Sequence, residues 1–186
     1  MREFDVIIIG GGLSGAATAL NLSKKGYSIL IIEKDSVQAF KACAGGMASS
    51  MTKYLPINIE ETVETKIKYV EFRWKGSDNV TADLTGESPF WIVNREKLDK
   101  LLLDKALSNG ARILQPAEVN KITKENGLWT VACSNNYEYT SEFLVIADGS
   151  QSTWSGYLNL GPKRPKFANT IALRLEGLGD IPKNAA

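Results

Sequence analysis

The 186-residue sequence contains no histidine. That absence excludes a Ser-His-Asp triad and any histidine-ligated metal centre, and it removes the commonest general acid and base. Cysteine is scarce as well. Two thiols cannot make a disulfide framework in a chain of this size and fit a reducing, cytoplasmic setting. Charge of one sign is not in excess, with 22 Lys and Arg against 21 Asp and Glu, so the basic footprint that phosphate backbones select is missing and nucleic acid is not an expected partner. Long apolar runs are also lacking. The stretch from Val6 to Leu22 comes nearest, but Gly10, Gly11, Gly12 and Gly15 cut it and Glu3 and Asp5 precede it, so it reads as neither signal peptide nor membrane span. What is present is a 44% hydrophobic composition, enough to bury a core and long enough for one domain plus part of a second.

The opening segment carries the strongest pattern. Phe4 to Ile9 is a short, β-branched apolar run, as expected of a strand buried on both faces of a parallel sheet. Gly10-Gly11-Gly12-Leu13-Ser14-Gly15 follows it as a G-x-G-x-x-G turn, and Leu13 to Lys25 reads as an Ala-rich helix. Each glycine has a physical task. Gly10 permits the tight turn, Gly12 lets the N–H groups around Leu13 and Ser14 approach a pyrophosphate at the helix N-terminus, and Gly15 leaves room for helix to meet strand. Lys24, Lys25 and Gly26 end the helix, and Ser28 to Ile32 is a second buried strand that delivers Glu33 and its neighbour Lys34. Glu33 falls at the interval of about 20 residues at which a carboxylate accepts hydrogen bonds from an adenosine ribose. A dinucleotide site is therefore expected, with no choice yet between a nicotinamide and a flavin cofactor.

Later segments bear on that choice. Lys41-Ala42-Cys43-Ala44-Gly45-Gly46 is a loop whose paired glycines let backbone lie against a flat ligand. Val93 to Ser108 reads as an amphipathic helix with Leu98, Leu101, Leu102 and Ala106 on one face. Ala111 to Leu114, Val119 to Thr123, Trp129 to Cys133 and Tyr137 to Ala147 read as strands, the last ending in Asp148-Gly149.

With these motifs the chain resembles flavoproteins of the para-hydroxybenzoate hydroxylase type and, within them, the geranylgeranyl reductase family. The residues that carry the resemblance are the GGGLSG turn with Glu33, Lys41-x-Cys43-x-Gly45-Gly46, Asn94-Arg95-x-x-Leu98, and Leu144 to Ser152. The resemblance implies an α/β fold: a Rossmann-like FAD-binding domain with a parallel sheet and a β-meander, formed by residues 1–66 and 95–155. Part of an antiparallel substrate-domain sheet would come from 67–94 and 156–186, with strands at Ile67 to Trp74, Asn79 to Leu84, Phe90 to Val93 and Asn169 to Glu176. It implies FAD as cofactor, with NAD(P)H as electron donor. Arg95, Asp148 and Gly149 would contact the flavin's phosphate and ribityl groups, backbone near Val119 would lie against adenine, and Lys41, Gly45 and Gly46 would approach the cofactor. Cys43 would stand between flavin and substrate and donate a proton to a carbon that has accepted hydride. The implied activity is reduction of an isoprenoid carbon-carbon double bond. The implied partners are a small-molecule or prenyl-lipid substrate, a peripheral membrane contact and a partner chain completing the fold.

The departures point to other readings. The arginine that usually follows Asp-Gly is replaced by Ser152-Thr153-Trp154-Ser155, with none until Arg164, and Ala44 stands where Cys-Gly-Gly is usual. A third flavin motif, Gly-Asp opening a helix, is not found, because Gly179-Asp180 leads into Ile181-Pro182. The alternatives are a flavin-dependent aromatic hydroxylase and a non-catalytic nucleotide-binding piece of a longer or split protein. No metal site is expected. Cys133, sharing strand parity with Trp129 and Val131, reads as a buried sheet residue, and Trp74, Trp91 and Trp154 read as core.

Overall fold

The computed structural model describes residues 2–35, 42–75, 78–86, 89–134, 136–162, 166, 168 and 171. Lys41, Arg164, the expected strand at Asn169 to Glu176 and Gly179-Asp180 lie outside these residues or almost wholly so. The chain divides into two compact units, Met1–Ala39 with Asp99–Ala168, and Phe40–Leu98 with Asn169–Ala186. This division differs from the sequence-based boundaries, placing residues 40–66 and 95–98 in the second unit and 156–168 in the first.

In the first unit the chain forms β1 (Arg2–Ile9), α1 (Leu13–Ser23) and β2 (Ile29–Ile32). Every residue from Val6 to Ile9 and from Ile29 to Ile32 is buried, as continuous apolar runs require when both faces of a sheet are covered. Helix α1 stops at Ser23, short of the expected Lys25. There the N–H groups of Lys25 and Gly26 turn to carbonyls three residues back, Leu22 at 2.9 Å and Ser23 at 3.0 Å, and Gly26 takes φ +87°. This tightening closes the last turn and satisfies its carbonyls.

The second unit supplies β3 (Gly46–Ala48), β4 (Val63–Ile67), β5 (Tyr69–Trp74), β6 (Asp78–Asp83) and β7 (Phe90–Val93). Helix α2 (Arg95–Ser108) crosses the division between the units. The first unit then resumes with β8 (Arg112–Leu114), β9 (Val119–Glu125), β10 (Leu128–Cys133), β11 (Glu138–Ile146) and the single turn α3 (Trp154–Tyr157).

Among the described residues the first unit is one six-stranded sheet in the order β8-β2-β1-β11-β10-β9. β8, β2, β1 and β11 run parallel, and β9-β10-β11 form an antiparallel meander. The Rossmann-like sheet with β-meander expected from the sequence is thus present. One apolar cluster, including Phe4, Ile7, Ile32, Val131 and Cys133, packs this sheet. Cys133 is buried as expected, and burial pushes its thiol up to about 11.

The second unit contains a three-stranded antiparallel sheet, β3-β7-β4, and a separate two-stranded ribbon, β5-β6. The single strand expected over Ile67 to Trp74 is broken at Lys68, on either side of which the chain pairs with different strands. The core reading of Trp74 is corrected: it is 69% exposed, beside Phe72 and Val80 on the ribbon. Two strands present two faces, and an isolated ribbon cannot cover both. Trp91 is half-buried with its indole Nε1 out of solvent, and Lys66 lies over its ring at 5.0 Å. Trp154 packs on the core of the first unit.

Candidate functional site

In the first unit the carboxyl ends of β1, β2 and β11 meet at the glycine turn. Gly10 donates to the Ile32 carbonyl at 2.8 Å and Ala147 donates to the Ile9 carbonyl at 2.8 Å, so these three strand ends are tied together. β1 continues into a helix on the way to β2, while its other neighbour β11 arrives from far along the chain. That reversal of strand order opens a crevice beyond the strand ends.

The glycines at this point are sterically enforced. Gly10 has φ +102°, and a Cβ there would lie 2.3 Å from the Ala147 carbonyl oxygen. A Cβ on Gly15 would meet the Gly10 carbonyl oxygen and Ile8. Gly12 occupies the N-cap of α1, with no capping side chain and no acid in the first turn. The helix therefore presents N–H groups and a partial positive charge unopposed by its own side chains, the arrangement that receives phosphate.

Glu33 sits over this turn. Its Oε2 accepts from the Gly11 N–H at 2.6 Å and its Oε1 from the Asp35 N–H at 3.1 Å. Its backbone is fixed too, donating to Leu114 at 3.0 Å and accepting from Ala117 at 2.8 Å. The sequence pattern marked Glu33 as a ribose acceptor but gave no sign that it also braces the loop at Gly11. A carboxylate has about four lone-pair sites, so both tasks are compatible. Lys34 beside it is exposed.

Asp148 and Gly149 follow β11 into the same crevice. With Ser14 they line a pocket of about 380 Å³, whose other walls include Ser152, Ser155 and Leu160. Ser14 of the glycine turn and the Asp-Gly pair thus border one pocket. The contributions of Ser152 and Ser155 were not foreseen; they follow from a local turn in which the Ser155 N–H donates to Ser152 Oγ at 3.0 Å. Leu13 is half-buried beside this turn. Val119 turns its side chain into the core while its backbone pairs with Cys133.

The second unit holds the other group of expected residues. Gly46 pairs with Ile92 across β3-β7, and the Val93 N–H donates to the Gly45 carbonyl at 2.9 Å. This pairing fixes the loop that carries Cys43. Immediately after β7, Asn94 caps α2: its Oδ1 accepts from the Lys97 N–H at 3.1 Å and its Nδ2 donates to Glu64 at 2.8 Å. Arg95, the first residue of the helix, places Nη1 at 3.2 Å from Cys43 Sγ, and the Gly45 N–H lies 3.4 Å from the same sulfur. Cys43 is exposed. The capping role of Asn94 was legible in principle, since Asn precedes a helical pattern, but the sequence reading used that residue only for its resemblance.

A family model described as FAD binding domain matches residues 3–172. The chain belongs to the FAD binding domain family. The donor set fits that assignment: the cradle at Gly10 and Gly15 admits no side chain, helix amides face it, and a carboxylate stands at the ribose distance along the chain. As a member of this family the chain is an FAD-binding domain.

A probable electron transfer flavoprotein-quinone oxidoreductase of Escherichia coli is 28% identical over 156 residues, covering 81% of this chain and 37% of that protein. A geranylgeranyl bacteriochlorophyll reductase-like protein from Thermoplasma acidophilum superposes with a TM-score of 0.70 at 22% identity, covering 80% of this chain and 40% of that one. The p-nitrophenol 4-monooxygenase PnpA of Pseudomonas putida gives 0.74 at 16% identity, covering 85% and 44%. These two likenesses establish the fold. The chain spans 37–44% of the length of the curated relatives it matches.

Glu33→Ala is expected to weaken FAD binding about 10- to 100-fold, the loss of one or two hydrogen bonds to a charged acceptor. Isothermal titration of the purified chain with FAD measures this. Equal affinity in the two proteins would remove Glu33 from the nucleotide site.

Proposed function

We propose that the chain is the flavin-binding part of a reductase that adds hydrogen across an isoprenoid carbon-carbon double bond, with NAD(P)H as electron donor. Bound FAD supplies the two-electron hydride chemistry. The observation that supports the reading is the exposed thiol of Cys43 with Arg95 and the Gly45 N–H beside its sulfur. Saturating a double bond requires a proton as well as a hydride, and in a chain without histidine the exposed thiol at Cys43 is a group suited to deliver it. In this reading Gly10, Gly12, Leu13, Ser14 and Gly15 cradle the dinucleotide and Glu33 holds its ribose. Asp148 and Gly149 border its phosphates. Gly45 fixes the loop that presents the thiol.

The test is a visible spectrum of the purified chain with FAD, followed by anaerobic NADPH titration and addition of a geranylgeranyl alkene. The expected result is a flavin spectrum that bleaches with NADPH, reoxidises on adding the alkene, and stays bleached with alkene in Cys43→Ala. A chain that takes up no flavin, or whose NADPH oxidation requires oxygen and yields a hydroxylated aromatic, overturns the proposal. The second outcome would identify the hydroxylase alternative.

A further inference from the structure

We propose that Arg95 is a positioning residue for Cys43, holding the sulfur in a cluster that stabilises the thiolate left when the thiol delivers its proton. The inference rests on the proton-donor reading of Cys43 given above. Its basis is the convergence of two donors on one sulfur, Arg95 Nη1 at 3.2 Å and the Gly45 N–H at 3.4 Å. A guanidinium has five N–H donors, no acceptor, and does not lose its proton. Both bonds must therefore be accepted by sulfur, and acceptance of two hydrogen bonds, one from a cation, favours the charged form of an acid.

The position of Arg95 supports the same conclusion. It opens α2, where the helix dipole disfavours a cation, so an anionic neighbour compensates its placement. That position is rigidly set. The Asn94 N–H donates to the Thr62 carbonyl at 2.7 Å, the Asn94 side chain is bound to Glu64, and β7 immediately before it pairs with the strand that follows Gly45. Among the described residues the other charged groups on the elements bordering the pair are Glu64 and Lys66 on β4 and Glu96, Lys97, Asp99, Lys100, Asp104 and Lys105 on α2, of which Glu64 and Glu96 are the exposed carboxylates adjoining Asn94 and Arg95; β3 and β7 carry none. Glu64 and Glu96 act against the thiolate. Arg95 in direct contact with sulfur outweighs them, because Coulomb attraction falls with distance and the carboxylates are exposed to solvent screening.

The proton transfer balances as follows. The S–H bond of Cys43 breaks, a C–H bond forms at the carbon adjacent to the one that received hydride, and the electron pair stays on sulfur beside the guanidinium. Solvent returns a proton to the exposed sulfur. An acid lowered toward the working pH transfers its proton most readily.

The test is the rate of iodoacetamide alkylation at Cys43 in the whole chain, followed by mass spectrometry from about pH 5 to about pH 10, where thiols titrate. The wild-type midpoint is expected at least about one unit below the ordinary thiol value of about 8.5. Arg95→Gln raises it by about one unit, slowing alkylation at neutral pH about tenfold, while Arg95→Lys retains part of the lowering. Cys133 serves as internal control: buried and pushed up to about 11, it stays unmodified throughout. An ordinary wild-type midpoint, or one unchanged in Arg95→Gln, overturns the proposal, and the wild-type measurement stands even if that variant fails to fold. A lowered midpoint that Arg95→Gln restores, together with full alkene reduction by Cys43→Ser, would sink the proton-donor reading and leave the pair intact.

Discussion

Gly10→Ala is expected to lose FAD binding and about 3–5 kcal/mol of stability, the sum of an unfavourable backbone region and a steric overlap. The two contributions have separate origins. The backbone at Gly10 has φ +102°, which L side chains rarely adopt. The added methyl would also stand 2.3 Å from the carbonyl oxygen of Ala147, and that carbonyl cannot simply retreat. Its own residue is anchored by the Ala147 N–H to Ile9, and Gly10 is anchored to Ile32, both at 2.8 Å. Relief must come from separating β1 and β11 at the place where the cofactor's phosphates are proposed to sit. Gly26→Ala is the informative control. It also has positive φ, +87°, but nothing lies within 4 Å of its added Cβ. Its cost should be about 1 kcal/mol, the conformational part alone. Urea unfolding and flavin absorbance measure both variants. Equal behaviour of the two would show that the overlap with Ala147 is relieved without cost and that the cradle is not rigid.

The second large effect is expected at Gly45. Gly45→Ala combines φ +78° with a Cβ placed 2.1 Å from the Val93 carbonyl oxygen, and the Val93 N–H is already bound to the Gly45 carbonyl at 2.9 Å. The expected loss is again about 3–5 kcal/mol, concentrated in the unit that carries Cys43 and Arg95. Gly46→Ala should be milder. There the added methyl meets the tip of the Phe90 ring at 2.7 Å, and a ring on a rotatable side chain can shift where a carbonyl in a ladder cannot. Hydrogen exchange at the β3-β7 amides, read in both variants, separates them. Greater opening in Gly46→Ala than in Gly45→Ala would contradict this account.

The first unit was legible in the sequence because several local signals agreed. A β-branched run, glycines at fixed offsets, a helix and an acid at the right interval each specify the same strand-turn-helix-strand geometry, and β1, α1 and β2 lie where that pattern put them. Asp148-Gly149 was found because it ends a long apolar strand. The second unit was harder to read for physical reasons. β4, Val-Glu-Thr-Lys-Ile, alternates but is only five residues long with two charges, and its pairing with β7 carries a register shift between Val63 and Thr65. β3 is only Gly-Met-Ala, with no strand-forming side chain to announce it. The break at Lys68 follows from partners distant in sequence, which a local pattern does not encode. Trp74 misled because an aromatic in a strand usually finds cover, and at its end of the ribbon it stands exposed with Phe72 and Val80. The contact between Arg95 and Cys43 likewise joins a helix start and a loop far apart in the chain, and no spacing rule reveals it.

The pairing of β1 with β11 sets an order of events during synthesis. Arg2 is in register with Tyr139 and Ile9 with Ile146, so β1 waits for a strand made much later before that flank is closed. Until then the hydrophobic edge of β1 is exposed on the nascent chain, and its loop-closure entropy must be met before the contact forms. The glycine turn is made well before β11, yet its crevice acquires a second wall only when Ala147 arrives. The glycine turn thus depends on residues made much later, and a chain halted between them would carry the whole glycine motif without a pocket to put it in.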